Sequence, residues 1–116
     1  MQTDRVKIIH ELDEAWNSRD LDRILAFYSD DFELCSPHVK NRLEIGDGTL
    51  RGKEKVRAWW RRVLDKVPDL RSELVSVSEG VDSVAYAFKS SFSGSISVSV
   101  FWFDTEGKIR KELFHA

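Results

Sequence analysis

The N-terminal part of the chain repeats its apolar residues at the spacing of α-helices. In residues 4–17 they recur every three or four positions, which predicts an amphipathic helix. These positions are Val6, Ile9, Leu12 and Trp16. Residues 21–28 repeat the pattern, and Asp20 stands where its carboxylate can cap a second helix. Residues 53–67 predict a third helix, which should end at Pro68 because proline has no backbone N–H to donate.

After Pro68 the apolar period changes from about 3.6 residues to two, which is the period of a β-strand. Four segments alternate in this way or are rich in β-branched and aromatic residues, namely 70–79, 83–92, 95–104 and 108–115. Short connections that contain glycine separate these segments. The pattern therefore predicts an antiparallel meander of four strands.

The middle of the chain is less regular. Residues 32–36 predict a short strand, which should stop or reach a sheet edge at Pro37 because proline cannot donate to a strand ladder. Residues 37–51 show no clear period, and Gly46-Asp47-Gly48 marks a turn. We expect a long loop here, and such loops in compact domains are usually functional or mobile.

Helices followed by strands are typical of an α+β fold. A chain of 116 residues is expected to form a single domain, residues 1–116. Consecutive antiparallel strands twist and curl, so the helices should cover the concave side of the sheet to bury its apolar residues. The result is a cone with an open mouth, where ligand pockets commonly form.

The charge balance argues against nucleic acid and anionic membranes as partners. The chain carries 18 basic and 20 acidic residues, which gives a net charge of −2. Residues 51–71 hold eight bases against three acids. A nucleic-acid site would need aromatic residues on the same face, but the spacing of Trp59 and Trp60 assigns them to the core. We interpret the basic run as a solvated helix surface.

Cysteine content and hydropathy indicate the compartment. The single cysteine, Cys35, excludes a disulfide within this chain and fits a reducing environment. No apolar run approaches the roughly 20 residues that span a bilayer, and the first residues lack the apolar core of a signal peptide. We therefore expect a cytoplasmic protein with no membrane partner.

Two stretches carry a resemblance to a known superfamily. The first reads AWNSRDLD over residues 15–22 and continues to the strand and proline of residues 32–37. The second alternates serine and phenylalanine before a glycine turn, with Ser97, Ser99, Phe101, Phe103 and Gly107-Lys108-Ile109. Together they resemble ketosteroid isomerase and the SnoaL-like polyketide cyclases of the nuclear transport factor 2-like superfamily. The resemblance implies a cone-shaped cystatin-like/nuclear transport factor 2-like fold, with three N-terminal helices packed on a curved, mostly antiparallel sheet.

The same resemblance indicates which residues of this chain stand at the catalytic positions of ketosteroid isomerase. In ketosteroid isomerase a carboxylate moves a proton beside a carbonyl, while a tyrosine and a protonated aspartate donate hydrogen bonds to the oxyanion. The matching positions here hold Ser36, Leu12 and Ser99, respectively. An unaided serine hydroxyl is not a base, and leucine has no donor. We do not expect steroid isomerisation by that mechanism.

Two functions stay open. In the first, the domain is a SnoaL-like isomerase, cyclase or lyase that holds a small apolar organic molecule and uses no cofactor. In the second, it is a non-catalytic ligand-binding or dimerisation module. Relatives in the superfamily often pair through the outer face of the sheet. The resemblance therefore implies a homodimer, which would cover the apolar stripe of residues 96–103.

The residues that face the cavity depend on the phase of strand 95–104. One phase turns Ser97, Ser99, Phe101 and Phe103 inward, and the other turns Ile96, Val98, Val100 and Trp102 inward. The alternation alone favours the second phase. The resemblance favours the first, because a dimer would cover the apolar outer stripe. The expected pocket residues are then Leu12, Trp16, Tyr28, Ser36, Trp59, Tyr86, Phe88, Ser99, Phe101 and Phe114.

Glu112 and His38 are the candidate acid–base residues. If Glu112 lies in the apolar cavity, burial should raise its pKa toward neutrality; otherwise it lies in water or pairs with a base. His38 follows Pro37 near the expected mouth, where it is either a base, a polar clamp or simply solvated. The spacing of the histidines and Cys35 fits no metal site, and there is no phosphate-binding loop. We expect neither a metal nor a cofactor.

Overall fold

The computed structural model describes residues 4–116. Its helices are α1 (Asp4–Ser18), α2 (Leu21–Leu25), α3 (Pro37–Arg42) and α4 (Lys53–Lys66). Its strands are β1 (Tyr28–Cys35), β2 (Thr49–Arg51), β3 (Ser72–Glu79), β4 (Ser83–Ser90), β5 (Ile96–Phe103) and β6 (Ile109–His115). The three predicted helices are present as α1, α2 and α4. In the described range, no helix combines the length and apolarity needed to cross a bilayer.

The strands of the described range form one sheet in the order β2-β1-β6-β5-β4-β3. Neighbouring strands are antiparallel except β1 and β6, which are parallel. The predicted meander is confirmed, since β3 to β6 pair in consecutive order. The prediction of an α+β fold with a mostly antiparallel sheet is also confirmed. At the centre of the sheet Leu34 of β1 pairs with Glu112 of β6.

Residues 37–51 form a short helix and an edge strand, so the prediction of a long loop is wrong. Ser36 Oγ accepts a hydrogen bond of 3.1 Å from the backbone N–H of His38, and Pro37 occupies the first turn, where its missing N–H is not needed. The six residues of α3 are too few to show a helical period. Gly48, with a φ of +68°, then turns the chain into β2.

The first long strand starts earlier than its sequence pattern indicates. β1 begins at Tyr28 instead of Phe32, and Tyr28 is therefore a strand residue and not the end of α2. The register between β1 and β6 shifts between Tyr28 and Glu33, which is a β-bulge. A bulge adds a residue and breaks strict alternation, so the period of two is hidden there.

The junction after α1 fixes the helices on the sheet. The Asn17 side chain donates 2.9 Å to the backbone oxygen of Ser72 and accepts 2.8 Å from its N–H. Arg19 donates to the backbone oxygens of Leu64 at 2.7 Å and Val67 at 3.1 Å. These bonds satisfy carbonyls at the end of α4. The Asn-Ser-Arg segment therefore holds α1 and α4 in place beside the start of β3.

Candidate functional site

A cavity of about 470 Å³ opens between the helices and the concave face of the sheet. Its wall is mainly aromatic and aliphatic. The predicted pocket residues that line it are Leu12, Trp16, Ser36, Trp59, Tyr86, Phe88, Ser99, Phe101 and Phe114. Tyr28 is not among the lining residues, because it lies buried beside Glu112 at the start of β1. The volume falls within the range of small-molecule sites, about 300–1,000 Å³.

β5 turns its serines into the cavity. Ser97 and Ser99 are 5% and 1% exposed and line the wall, whereas Ile96 on the opposite face is 57% exposed. Ser99 lies opposite Tyr86 on β4 and next to Phe101 along the cavity face. Of the two phases that the sequence leaves open, the structure has the one favoured by the family resemblance.

Glu112 lies on β6 at the inner end of the cavity, where it is 7% exposed. Its two oxygens each accept a hydrogen bond from a hydroxyl group. Ser99 Oγ donates 2.8 Å to Oε2, and the Tyr28 hydroxyl donates 3.1 Å to Oε1. Because β6 lies between β1 and β5, the donors come from both neighbouring strands.

Burial controls the protonation of Glu112. Removal from water raises its pKa from an ordinary 4.5 to about 7, while the hydrogen bonds from Ser99 and Tyr28 act in the opposite direction. No basic side chain of residues 4–116 forms an ion pair with this carboxylate. The pKa of Tyr28 is raised well above its usual value, first by burial and then by the charge of Glu112. Tyr28 is therefore a fixed donor, and Glu112 exchanges a proton near neutral pH.

A second buried carboxylate, Asp13 on α1, is not among the candidate residues that the sequence predicts. It is 9% exposed and accepts hydrogen bonds from the Tyr86 hydroxyl and, at 2.9 Å, from Ser72 Oγ. Burial, and then the bond to Asp13, raise the pKa of Tyr86. The helical spacing does indicate that Asp13 is buried, since it stands four residues after Ile9 on the buried stripe of α1.

His38 and Ser36 both line the cavity, at the start of α3. The His38 ring is half-buried and lies 5.7 Å from the Phe114 ring, centroid to centroid. Burial, and then the charge of Arg42, lower the pKa of His38, so its neutral form is favoured. The Ser36 hydroxyl is occupied as the cap of α3. Among the described residues, no three His, Cys, Asp or Glu side chains cluster as a metal site.

Comparison with known proteins identifies the family. A family model described as a SnoaL-like domain matches residues 9–112. A SnoaL-like protein of unknown function from Burkholderia thailandensis is 37% identical, over 99% of this chain and 97% of that one, with a TM-score of 0.91. None of the curated proteins matches the sequence.

More distant structures share the fold. A nuclear transport factor 2-like protein of unknown function from Cytophaga hutchinsonii is 13% identical over 99% of this chain and 91% of that one, with a TM-score of 0.73. IdmH, a candidate polyketide cyclase from Streptomyces antibioticus, is 20% identical over 97% of this chain and 91% of its own, with a TM-score of 0.79. At these identities the likeness shows the fold alone.

Proposed function

The chain belongs to the SnoaL-like domain family of the nuclear transport factor 2-like superfamily, and we propose that it holds a small apolar organic molecule in its cone and moves a proton on it through Glu112. The class of reaction is an isomerisation, a cyclisation or an elimination that uses general acid–base catalysis and no cofactor. The fold shared with IdmH, a candidate polyketide cyclase, is compatible with this class.

The observation that carries the proposal is the environment of Glu112. A carboxyl group with a pKa of about 7 is present in both protonation states at neutral pH, which is what a general acid or base requires. Its oxygens are oriented by Ser99 and Tyr28, and the carboxyl group lines the apolar cavity. Each carboxylate oxygen has a second lone pair, so these hydrogen bonds leave room for an incoming proton.

The chemistry balances without an oxidant. Deprotonated Glu112 takes a proton from a carbon beside a carbonyl group, and the electron pair of the broken C–H bond moves onto the carbonyl oxygen. Return of the proton at another carbon gives an isomer. In a ring closure, the same electron pair attacks a second carbonyl carbon of the molecule, the π pair of that carbonyl moves onto its oxygen, and Glu112 returns its proton to that oxygen. In an elimination, the electron pair forms a C=C bond while the leaving group departs from the neighbouring carbon with its bonding pair and takes the proton from Glu112.

His38 is proposed as a polar clamp in this reaction. Its lowered pKa favours the neutral imidazole, which can donate one hydrogen bond to a carbonyl oxygen as negative charge develops. The Tyr86 hydroxyl lines the same cavity but already donates to Asp13. Tyr86 is therefore proposed to shape the wall and not to stabilise the oxyanion.

The second candidate is a non-catalytic ligand-binding module. The positions that carry the chemistry of ketosteroid isomerase hold Leu12, Ser36 and Ser99. The Ser36 hydroxyl caps α3, and the Ser99 hydroxyl is bonded to Glu112. This reading predicts ligand binding with no proton transfer.

Deuterium exchange distinguishes the two candidates. The probe is 2-tetralone, a small apolar ketone with exchangeable C–H groups beside its carbonyl, studied by NMR in D2O with binding followed by tryptophan fluorescence. We expect wild-type protein and Glu73→Gln, an exposed control on β3, to accelerate deuterium uptake. Glu112→Gln should bind the ketone without accelerating uptake. Equal uptake in wild type and Glu112→Gln, with binding intact, would favour the binding module.

The homodimer is proposed on the outer face of the sheet. There the side chains of Val98, Val100 and Trp102 are only half-buried within one chain, and Ile96 is 57% exposed. A second copy packed on this face would remove that apolar surface from water. A cytoplasmic location is proposed from the lone Cys35, which is a free thiol.

A further inference from the structure

The charged side chains of the cavity are segregated by sign. Four bases line it from three separate parts of the chain: Arg42 ends α3, Arg62 and Lys66 lie on α4, and Arg71 directly precedes β3. All four are exposed to solvent, and they therefore lie at the mouth. In the described range, Glu112 is the acidic side chain that lines the cavity, and it is buried at the inner end.

The basic side chains at the mouth are not paired with acidic side chains within the described part of the chain. None of the four forms an ion pair with an acidic side chain of residues 4–116; the ion-paired bases of that range are Arg23, Arg51, Lys53 and Arg57. Two of the four lie against the wall of the cavity. The guanidinium carbon of Arg62 lies 5.8 Å from the Trp59 ring centroid, and the charge of Arg42 contributes to lowering the pKa of His38.

Unpaired charges of one sign at the opening of an apolar cavity favour an anion there. Low-dielectric walls concentrate the field of such charges at the mouth, which raises the local concentration of oppositely charged ligands. Arg62 and Lys66 are four residues apart on one helix, where like charges repel and an anion between them relieves the repulsion. A guanidinium group also matches the planar geometry of a carboxylate.

We propose that the ligand of the cone is an organic acid, an apolar body that bears one anionic group. Its anionic group binds Arg42, Arg62, Lys66 and Arg71 at the mouth, and its apolar body fills the aromatic interior. This inference rests on the proposed function, because it names the class of molecule that the cone holds. The charges also set its orientation. Ionised Glu112 repels the anionic end, so the apolar end that approaches Glu112 is the part that reacts.

Two fluorescent probes that differ by one sulfonate test this inference. The anionic probe is 1-anilinonaphthalene-8-sulfonate, and the neutral probe is N-phenyl-1-naphthylamine. We compare wild type with Arg62→Gln/Lys66→Gln and with a matched control, Lys55→Gln/Arg61→Gln. The control removes two exposed charges from α4 that do not line this cavity. Competition between the probes establishes that they share the cavity.

The expected result is tighter binding of the anionic probe by the wild type and the control. In Arg62→Gln/Lys66→Gln the dissociation constant of the anionic probe should rise about three- to tenfold. The effect is modest because exposed charge pairs contribute little free energy. Binding of the neutral probe should not change. Equal affinity for both probes, or an equal loss in both double variants, overturns the organic-acid inference and leaves the proposed function standing. Failure of both probes to bind wild type contradicts the proposed function itself.

Discussion

The Ser99 hydroxyl donates a hydrogen bond of 2.8 Å to Oε2 of Glu112, from one central strand of the sheet to the next. Ser99 occupies the position that the family resemblance assigns to the protonated aspartate of ketosteroid isomerase. In this chain the buried carboxyl group lies on β6 instead, and Ser99 on β5 donates a hydrogen bond to it. The cavity therefore contains a carboxyl group with a pKa of about 7, but on a different strand from the one that the resemblance to ketosteroid isomerase implies.

The first prediction concerns Ser99→Ala. The hydrogen bond from Ser99 favours the charged form of Glu112, so its loss should raise the pKa of Glu112 above about 7. Carbon-13 NMR titration of the glutamate carboxyl groups measures this pKa. Ser97→Ala is the matched control, because Ser97 lines the same face of β5 and makes no hydrogen bond to Glu112 in the described range. An equal pKa in both variants would contradict the prediction.

The second prediction is a pH-dependent stability. The folded protein binds the Glu112 proton more tightly than the unfolded chain, because the folded-state pKa of about 7 exceeds the ordinary 4.5. This contribution is fully present below pH 4.5 and is lost as the pH rises through 7. The loss amounts to about 3 kcal/mol in the free energy of unfolding, from 1.36 kcal/mol per pH unit.

Urea unfolding from pH 4 to 8, compared with Glu112→Gln, isolates this contribution. The variant cannot titrate at this position, so its stability relative to wild type should rise between pH 4.5 and 7. His38 acts oppositely, because its lowered pKa makes the folded state lose stability below about 6.5. His38 is present in both proteins, so its effect cancels in the difference between their free energies of unfolding. A difference that does not change with pH would show that Glu112 titrates normally.

The third prediction concerns the pair formed by Asp13 and Tyr86. Asp13→Asn weakens the acceptor of a buried hydroxyl group, and we expect a loss of about 1–3 kcal/mol in the free energy of unfolding. Tyr86→Phe removes the donor and should couple to Asp13→Asn in a double-mutant cycle. Asp4→Asn, at the exposed start of α1, is the control for loss of a charge. Strictly additive effects of Asp13→Asn and Tyr86→Phe would refute an interaction between them.

The fourth prediction concerns oligomeric state. Analytical ultracentrifugation at micromolar concentration should give a mass of twice 13.4 kDa for wild type. Val100→Glu places a charge on the outer face of the sheet and should yield monomers, whereas Ala58→Glu on the exposed side of α4 should remain dimeric. A monomeric wild type would exclude the dimer.

The sequence predicted what depends on local periodicity. The change of period after Pro68 predicts the antiparallel meander, and the apolar spacing on α1 and α4 predicts the helices that cover the sheet. Alternation alone favours the wrong phase of β5, because Ser97 and Ser99 face inward while Val98 and Val100 lie on the outer face. Only the family resemblance favoured the observed phase.

The features that the sequence missed depend on long-range pairing or on short elements. α3 is too short for a period, and the bulge in β1 hides the strand position of Tyr28. Glu112 was identified as a candidate, but its bond to Tyr28 spans 84 positions and depends on the parallel pairing of β1 with β6. The helical spacing of Asp13 indicates that it is buried, but its hydrogen-bond partners lie on two distant strands and cannot be predicted from that spacing.

The pKa of Glu112 decides whether this carboxyl group can give and take a proton in the cavity at neutral pH. Carbon-13 NMR titration of wild type, assigned by comparison with Glu112→Gln, should give a pKa of about 7 for this carboxyl group in the free protein. A saturating neutral apolar ligand such as N-phenyl-1-naphthylamine should raise it further, because the ligand excludes water from the cavity. A pKa near the ordinary 4.5 that does not respond to the bound ligand would rule out Glu112 as the acid–base group of the cavity.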